Sequence, residues 1–179
     1  MDLIHLPHTI WKQLALAKDD RQHPWRTPVL ASIDSRGLPH ARTVVLRNVD
    51  SDSQVLQFFT DSRSPKVTQL STSPQAQIVF WSNALNWQLR VTAQITIETT
   101  GAAVDAAWRQ VEQSPARQDY LSPLSPGDAL AAEAPKELGH SHHLAIISAK
   151  VTHMDWLSLS PEGHQRAEIS AGILRWLTP

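Results

Sequence analysis

The alternation of hydrophobic and polar residues predicts a chain built mainly of short β-strands. The clearest example is residues 87–99, where every second residue from Leu89 to Ile97 is apolar and the residues between them are polar. Side chains alternate between the two faces of a strand, so this pattern indicates one face on the core and one polar face. Seven further strands are predicted, with antiparallel neighbours, at residues 28–34, 38–47, 54–60, 75–82, 144–159, 164–170 and 173–177.

Helical periodicity is confined to three segments. Apolar residues three and four positions apart predict an N-terminal helix at 7–18 and a second amphipathic helix at 102–113. A short helix is predicted to begin at Pro65 and to end before Pro74, because the residue preceding a proline resists helical geometry. The Pro-rich segment 114–143 is predicted to be mostly loop, with a helical turn near 129–133. This pattern favours a mainly β fold with about three flanking helices, a closed or split antiparallel barrel.

Composition narrows the classes of function. A chain of 179 residues, 41% of them hydrophobic, is expected to form one domain spanning residues 1–179. Its 16 basic residues are balanced by 17 acidic ones, so there is no surplus of positive charge for nucleic acid or an anionic membrane. The lack of cysteine excludes thiolate catalysis and Cys-ligated metal sites. With neither a leader sequence nor a long apolar run, we expect a cytoplasmic protein.

The segment between Arg42 and Lys66 carries the strongest candidate chemistry, an anion site. Arg42 and Arg47 lie five positions apart on one predicted strand, so they would face opposite ways unless the strand is twisted or bulged. Ser64 and Lys66 stand where a helix begins, and the backbone N–H groups of the Ser-rich turn lack helical partners there. Guanidinium groups, hydroxyl groups and a helix N-terminus suit a phosphate monoester. The alternative is that the arginines are solvated and that Ser64 only caps the helix.

Four short motifs occur in order within this part of the chain. They are Arg42-Thr-Val-Val-Leu-Arg47, Phe59-Thr-Asp61 followed by Ser64-Pro-Lys66, Ser73-Pro74, and Leu85-Asn-Trp-Gln88-Leu-Arg. Together they resemble the pyridoxamine 5′-phosphate oxidase family of FMN-binding split barrels, from about residue 24 to residue 94. Within the C-terminal strands at 144–179 the resemblance resumes weakly, at Trp156, Arg166 and the closing Arg175-Trp-Leu-Thr-Pro179. The resemblance implies an FMN-binding split β-barrel of the antiparallel Greek-key type. It also implies a homodimer with the cofactor at its interface.

The resemblance assigns roles to individual residues. Arg42 and Lys66 would pair with the FMN phosphate beside the Ser64 hydroxyl, and Gln88 would bond the pyrimidine edge of the flavin. Arg47 and Arg166 are the candidates for a catalytic role, because a cation near the ring stabilises the reduced flavin. For Gln88 the alternative is a solvated residue, and for Trp156 it is core packing. The full set of implied cofactor-binding residues is Arg42, Thr43, Val44, Val45, Arg47, Phe59, Thr60, Ser64, Lys66, Trp81, Gln88, Trp156 and Arg166.

Two departures from the family pattern bear on function. Pro65 stands where many members have an arginine, and the substrate-phosphate motif is reduced to His164-Gln165-Arg166. We therefore expect an FMN-dependent oxidoreductase acting on pyridoxamine or pyridoxine 5′-phosphate or on another small substrate, with no metal. One alternative is a flavin-binding sensor or carrier without turnover. Another is a split barrel that holds haem or a deazaflavin.

Overall fold

The computed structural model describes residues 2–130 and 138–179, and within them nine strands form one antiparallel sheet. The sheet follows the order β2-β1-β5-β6-β7-β4-β3, and the β8–β9 hairpin continues from β7. The strands are β1 (Val29–Ile33), β2 (Pro39–Thr43), β3 (Leu46–Asp50), β4 (Val55–Asp61), β5 (Gln75–Ser82), β6 (Trp87–Glu98), β7 (Leu144–Ser158), β8 (Gln165–Ser170) and β9 (Ile173–Leu177).

The sheet is rolled into a barrel that stays open between β2 and β3. These two strands lie at opposite ends of the strand order, yet only Val44 and Val45 separate them in the chain. The long strand β7 closes the opposite side, because its first half pairs with β4 and its second half with β8 while β6 runs along its other edge. This is the split antiparallel barrel that the sequence predicts.

The prediction of a single strand at 38–47 is wrong. The N–H of Val44 donates to the carbonyl of Pro28 at 3.0 Å, and the side chain of Val44 is buried. At this buried residue the chain crosses from one edge strand of the sheet to the other. Residues 38–47 therefore belong to two strands instead of one. Residues 48–50, which lie between the strands predicted at 38–47 and 54–60, belong to β3.

Four α-helices flank the sheet in the described residues. The three predicted helices are confirmed as α1 (Leu6–Asp19), α2 (Pro65–Thr72) and α3 (Ala102–Glu112). The fourth, α4 (Arg117–Leu121), was predicted as loop, and its Tyr120 and Leu121 are buried by tertiary contacts. Of the helical turn expected at 129–133, residues 131–133 lie outside the described residues and 129–130 are not helical. No helix in the described residues is long and apolar enough to cross a membrane.

Two hydrophobic clusters hold these elements together. The main core fills the barrel and includes the buried face of α1. In it Trp25 packs against Phe80, with ring centres 5.6 Å apart, and Trp87 packs edge-on against Trp156 at 5.1 Å. A second cluster joins α3 to β7 and α4. The predicted alternation along β6 is confirmed, since Leu89, Val91, Ala93 and Ile95 are all buried.

The turn between β1 and β2 leads to a prediction about pH. The carboxylate of Asp34 accepts hydrogen bonds from the N–H groups of Leu38 at 3.0 Å and Arg36 at 2.8 Å. These bonds, that of Leu38 foremost, hold the pKa of Asp34 well below its usual value. The folded-state pKa is therefore below the unfolded one, so the stabilisation is present above the unfolded pKa and is lost as the pH falls.

We expect Asp34→Asn to unfold at lower urea concentration at neutral pH. The difference from the wild type should shrink as the pH falls below about 4, where the unfolded carboxyl takes up a proton. Urea titrations across this range measure the effect, with the exposed Asp52→Asn as the control. A difference that stays constant down to about pH 2 would contradict the role assigned to the charge.

Candidate functional site

Four side chains from three elements lie where β4 ends and α2 begins. They are Arg42 of β2, Thr60 of β4, Ser64 in the turn and Lys66 in the first turn of α2; we call them the Arg42–Lys66 cluster. Lys66 Nζ donates to Ser64 Oγ at 2.6 Å and to Thr60 Oγ1 at 3.0 Å. Two hydroxyl groups therefore accept hydrogen bonds from one ammonium group.

Arg42 is oriented by uncharged partners. Its guanidinium donates to Ser32 Oγ at 2.6 Å and to Gln69 Oε1 at 2.8 Å, and the Ser32 hydroxyl also donates to Gln69 at 2.7 Å. Ser32 and Gln69 are buried, and the cross-strand partner of Arg42, Leu30, is fully buried. Arg42 therefore points to the core side of the sheet, towards α2.

In the described part of the chain, no carboxylate forms an ion pair with Arg42 or Lys66. Burial lowers the pKa of Arg42, and burial together with the charge of Arg42 lowers the pKa of Lys66. Burial removes water from both cations, so an anion bound between them would gain two favourable interactions at once.

The turn before α2 differs from the sequence prediction in its backbone. Its N–H groups were expected to face an anion, but three of them are engaged within the chain. Ser62 donates to the carbonyl of His143 at 2.7 Å, Arg63 to the Asp61 carboxylate at 2.8 Å, and Ser64 to the carbonyl of Asp61 at 3.1 Å.

Ser64 is the N-cap residue of α2, but its hydroxyl is turned towards Lys66. The side chain makes no capping bond to the described part of α2, and its oxygen accepts the hydrogen bond from Lys66 Nζ. The alternative of a simple capping serine is therefore wrong for this hydroxyl group.

Arg47 lies apart from Arg42. It occupies a β-bulge between Leu46 and Asn48 on β3, the opposite edge strand. Its guanidinium lies over the ring of Phe59, 5.7 Å from the ring centre, and its buried Nε has no partner in the described residues. Arg47 and Phe59 line a cavity of about 450 Å³ between β3, β4 and α3.

The charge of Arg47 also acts on Tyr120 of α4. Burial raises the pKa of Tyr120, and the nearby charge of Arg47 opposes that rise.

Three predicted site residues lie in a row on the outer face of the sheet. Trp81 pairs with Gln88, Gln88 with Leu157, and Leu157 with Arg166. Trp81 is 42% exposed, whereas its neighbours Phe80 and Ser82 are buried. The side chains of these outer-face residues, Trp81, Gln88 and Arg166, therefore point away from the core side that Arg42 faces.

Arg166 is committed to a carboxylate. Its Nε and Nη2 bond the two oxygens of Asp155 at 3.0 and 2.7 Å, and this fork raises the pKa of Arg166. Arg90 also approaches Asp155, at 3.5 Å. The positive charge of Arg166, one of the two catalytic candidates, is therefore largely neutralised by a carboxylate of its own chain.

The remaining predicted residues are divided between the core and the crossing from β2 to β3. Trp156 is 1% exposed and packs among the core indoles, so the core-packing alternative describes it. Thr43 is exposed at the end of β2, Val44 is buried and Val45 is half-buried. The crossing thus connects the two edge strands, β2 and β3.

Sequence reasoning missed Arg63. Its Nε and Nη2 bond the two carboxylate oxygens of Asp61 at 3.0 and 2.7 Å. The same guanidinium donates to the carbonyls of Ser122 at 2.9 Å and Leu124 at 3.1 Å, and it approaches that of Pro123 at 3.4 Å. An aspartate two positions before an arginine in a turn hints at the first contact. The carbonyl partners lie some 59 residues further along the chain, so the local sequence does not predict them.

Comparison with known proteins shows similarity to one family. The family model described as pyridoxamine 5′-phosphate oxidase, FMN-binding domain, matches residues 8–99, just over half of the chain. A pyridoxine/pyridoxamine 5′-phosphate oxidase of Chromohalobacter salexigens is 36% identical over 94 residues, 52% of this chain and 42% of that protein. The matched part spans 36 to 42% of the length of three such curated relatives.

Solved structures share the fold. A pyridoxamine 5′-phosphate oxidase-related, FMN-binding protein of Nostoc punctiforme superposes with a TM-score of 0.77 at 22% identity, covering 96% of both chains. PhzG of Burkholderia lata superposes with a TM-score of 0.76 at 18% identity, covering 97% of this chain and 92% of that one. The family match, the rolled sheet and the motif residues lead to one assignment. This chain belongs to the pyridoxamine 5′-phosphate oxidase family, through its FMN-binding domain.

Proposed function

We propose that the chain binds FMN, with the phosphate in the Arg42–Lys66 cluster. This proposal rests on a pair of partly buried cations, Arg42 and Lys66, whose hydrogen bonds within residues 2–130 and 138–179 all go to uncharged groups. A phosphate monoester carries up to two negative charges and accepts several hydrogen bonds, which matches two cations and two hydroxyl groups. The residues present therefore fit the cofactor that the family description names.

We further propose that the protein is an oxidoreductase for a small organic substrate. Bound FMN would supply the hydride chemistry, and the protein would supply orientation and electrostatics. The cavity beside Arg47 and Phe59 supports a substrate site next to a cation and an aromatic face. Pyridoxamine and pyridoxine 5′-phosphates are the first substrates to assay, because the curated relatives carry those names.

A flavin-binding module without turnover is the second candidate. The observation that favours it is the Arg166–Asp155 fork, which neutralises one of the two cations proposed to act near the ring. In this case FMN would bind with the same phosphate contacts, but pyridoxamine 5′-phosphate would not reduce it.

We also propose a homodimer with FMN at its interface. The outer-face residues point away from the Arg42–Lys66 cluster of their own chain, so a second copy related by a two-fold axis is the natural source of such contacts. The outer face of β1 and β5 carries accessible apolar side chains, with Val29 at 39%, Ile33 at 43% and Trp81 at 42% exposure. Exposed apolar surface of this kind supports an interaction surface.

Titration of the purified protein with FMN and with riboflavin tests the proposal. We expect about one FMN per chain, with the two visible bands of an oxidised flavin, and FMN affinity about 100-fold or more above that of riboflavin. Equal affinity for both flavins would refute the phosphate site. Reduction of the bound flavin by pyridoxamine 5′-phosphate would separate the oxidoreductase from the non-catalytic alternative.

A further inference from the structure

The Asp61–Arg63 pair places a buried carboxylate beside the Arg42–Lys66 cluster. Asp61 is 6% exposed and directly follows Thr60, whose hydroxyl accepts a hydrogen bond from Lys66. Both carboxylate oxygens are held by Arg63, at 3.0 and 2.7 Å. Because Asp61 is the chain neighbour of the residue that bonds Lys66, its charge also acts on Lys66 and partly opposes the lowering of the Lys66 pKa.

This carboxylate would compete with a phosphate if it were free. Charge–charge interactions are strong where the surroundings are partly desolvated, and Asp61, Ser64 and Thr60 are all buried. A phosphate near Lys66 would be repelled by an uncompensated Asp61, and Lys66 would gain a competing partner within its own chain. A fork of two parallel hydrogen bonds from an arginine is the geometry that neutralises a carboxylate most completely.

We propose that Arg63 is a positioning residue for anion affinity: by holding Asp61 it keeps that carboxylate from cancelling the charge of Lys66. The inference rests on the proposed phosphate site and deepens it. With the Asp61–Arg63 pair neutral, Arg42 and Lys66 present two positive charges to the ligand. Without Arg63, Asp61 removes one of them.

Arg63 also contacts the backbone after α4. The carbonyls of Ser122, Pro123 and Leu124 all face its guanidinium. These contacts explain why the arginine stays in place, since five oxygen atoms surround it. They also offer a purely structural role, the docking of residues 122–124, which the experiment must separate from the electrostatic one.

The experiment compares FMN and riboflavin affinities in three variants. Arg63→Met is expected to lower FMN affinity about tenfold and to change riboflavin affinity less than about twofold, because only FMN carries the phosphate. Asp61→Asn together with Arg63→Met removes both charges and should restore the preference for FMN, although the contacts to residues 122–124 remain lost. Asp61→Asn alone should raise FMN affinity relative to riboflavin, and it tests the same idea if Arg63→Met does not fold.

Arg36→Met is the matched control. Arg36 also pairs with an aspartate two positions earlier, Asp34, at 3.1 Å, but it lies in the β1–β2 turn and is largely exposed. Its loss should leave the preference for FMN unchanged.

The outcomes distinguish this inference from the proposed function. If the wild type shows no preference for FMN over riboflavin, the phosphate site itself fails. If the wild type prefers FMN but Arg63→Met keeps that preference, the inference about Arg63 is wrong. It is also wrong if affinity for both flavins falls equally and the double variant gives no recovery, because that result shows only the docking of residues 122–124.

Discussion

Replacing Arg42 and Lys66 together by alanine is expected to weaken FMN binding by about 100- to 10,000-fold. Each side chain would contribute a hydrogen bond between charged groups, worth about 1.5 to 3 kcal/mol, and the two contributions combine on one phosphate. The partners that remain, Ser64 and Thr60, are uncharged and cannot compensate. Riboflavin affinity should change far less, because riboflavin lacks the phosphate.

Flavin fluorescence titration of wild type and variant measures this effect. Lys12→Ala with Arg109→Ala is the control, since it removes the same two kinds of charge from exposed positions on α1 and α3. If the control loses as much FMN affinity as the cluster variant, the effect comes from net charge alone. If the cluster variant binds FMN as tightly as the wild type, the phosphate lies elsewhere.

Replacing Trp156 by alanine is expected to lower the free energy of unfolding by about 3 to 5 kcal/mol. Its indole is almost wholly buried and packs against Trp87 at 5.1 Å, so its removal leaves a large cavity in the barrel core. Trp176 is the matched control, because its ring lies 6.4 Å from that of Trp156 but is 43% exposed. Trp176→Ala should cost much less.

Urea unfolding followed by circular dichroism measures both variants. The same variants separate the two roles considered for Trp156. Loss of stability with unchanged FMN affinity per folded molecule identifies a core residue. Normal stability with weakened FMN affinity would instead identify a cofactor contact and would contradict the packing seen here.

Local pattern predicted most of the secondary structure because it reflects contacts between near neighbours. Alternation along β6 and the helical spacing of α1 and α3 follow from which side chains face the core, so the sequence predicted these elements. It did not predict helix α4, because five residues are too few to show a helical period. Tyr120 packs against residues of α3 and β7, which only the folded chain brings together, and Leu121 is buried beside it in the chain.

The error at 38–47 has the same origin. Val44 and Val45 are apolar and continue the pattern of a strand. Nothing in the local sequence shows that the chain crosses from one edge strand of the sheet to the other at these two residues. The pairing of Val44 with Pro28 and the burial of Leu46 impose the change. Arg42 and Arg47 therefore lie on opposite edge strands, each with its own surroundings.

By itself, the sequence determined the antiparallel β content, the three main helices and the residues of the Arg42–Lys66 cluster. Ser64 and Lys66 are two positions apart in the chain, so they must lie close together whatever the fold. The tertiary structure alone decided that Arg166 pairs with Asp155, that Trp156 lies in the core, and that Arg63 contacts the carbonyls of residues 122–124. Such contacts join residues far apart in the chain or choose one face of a strand, and both depend on how the sheet is rolled.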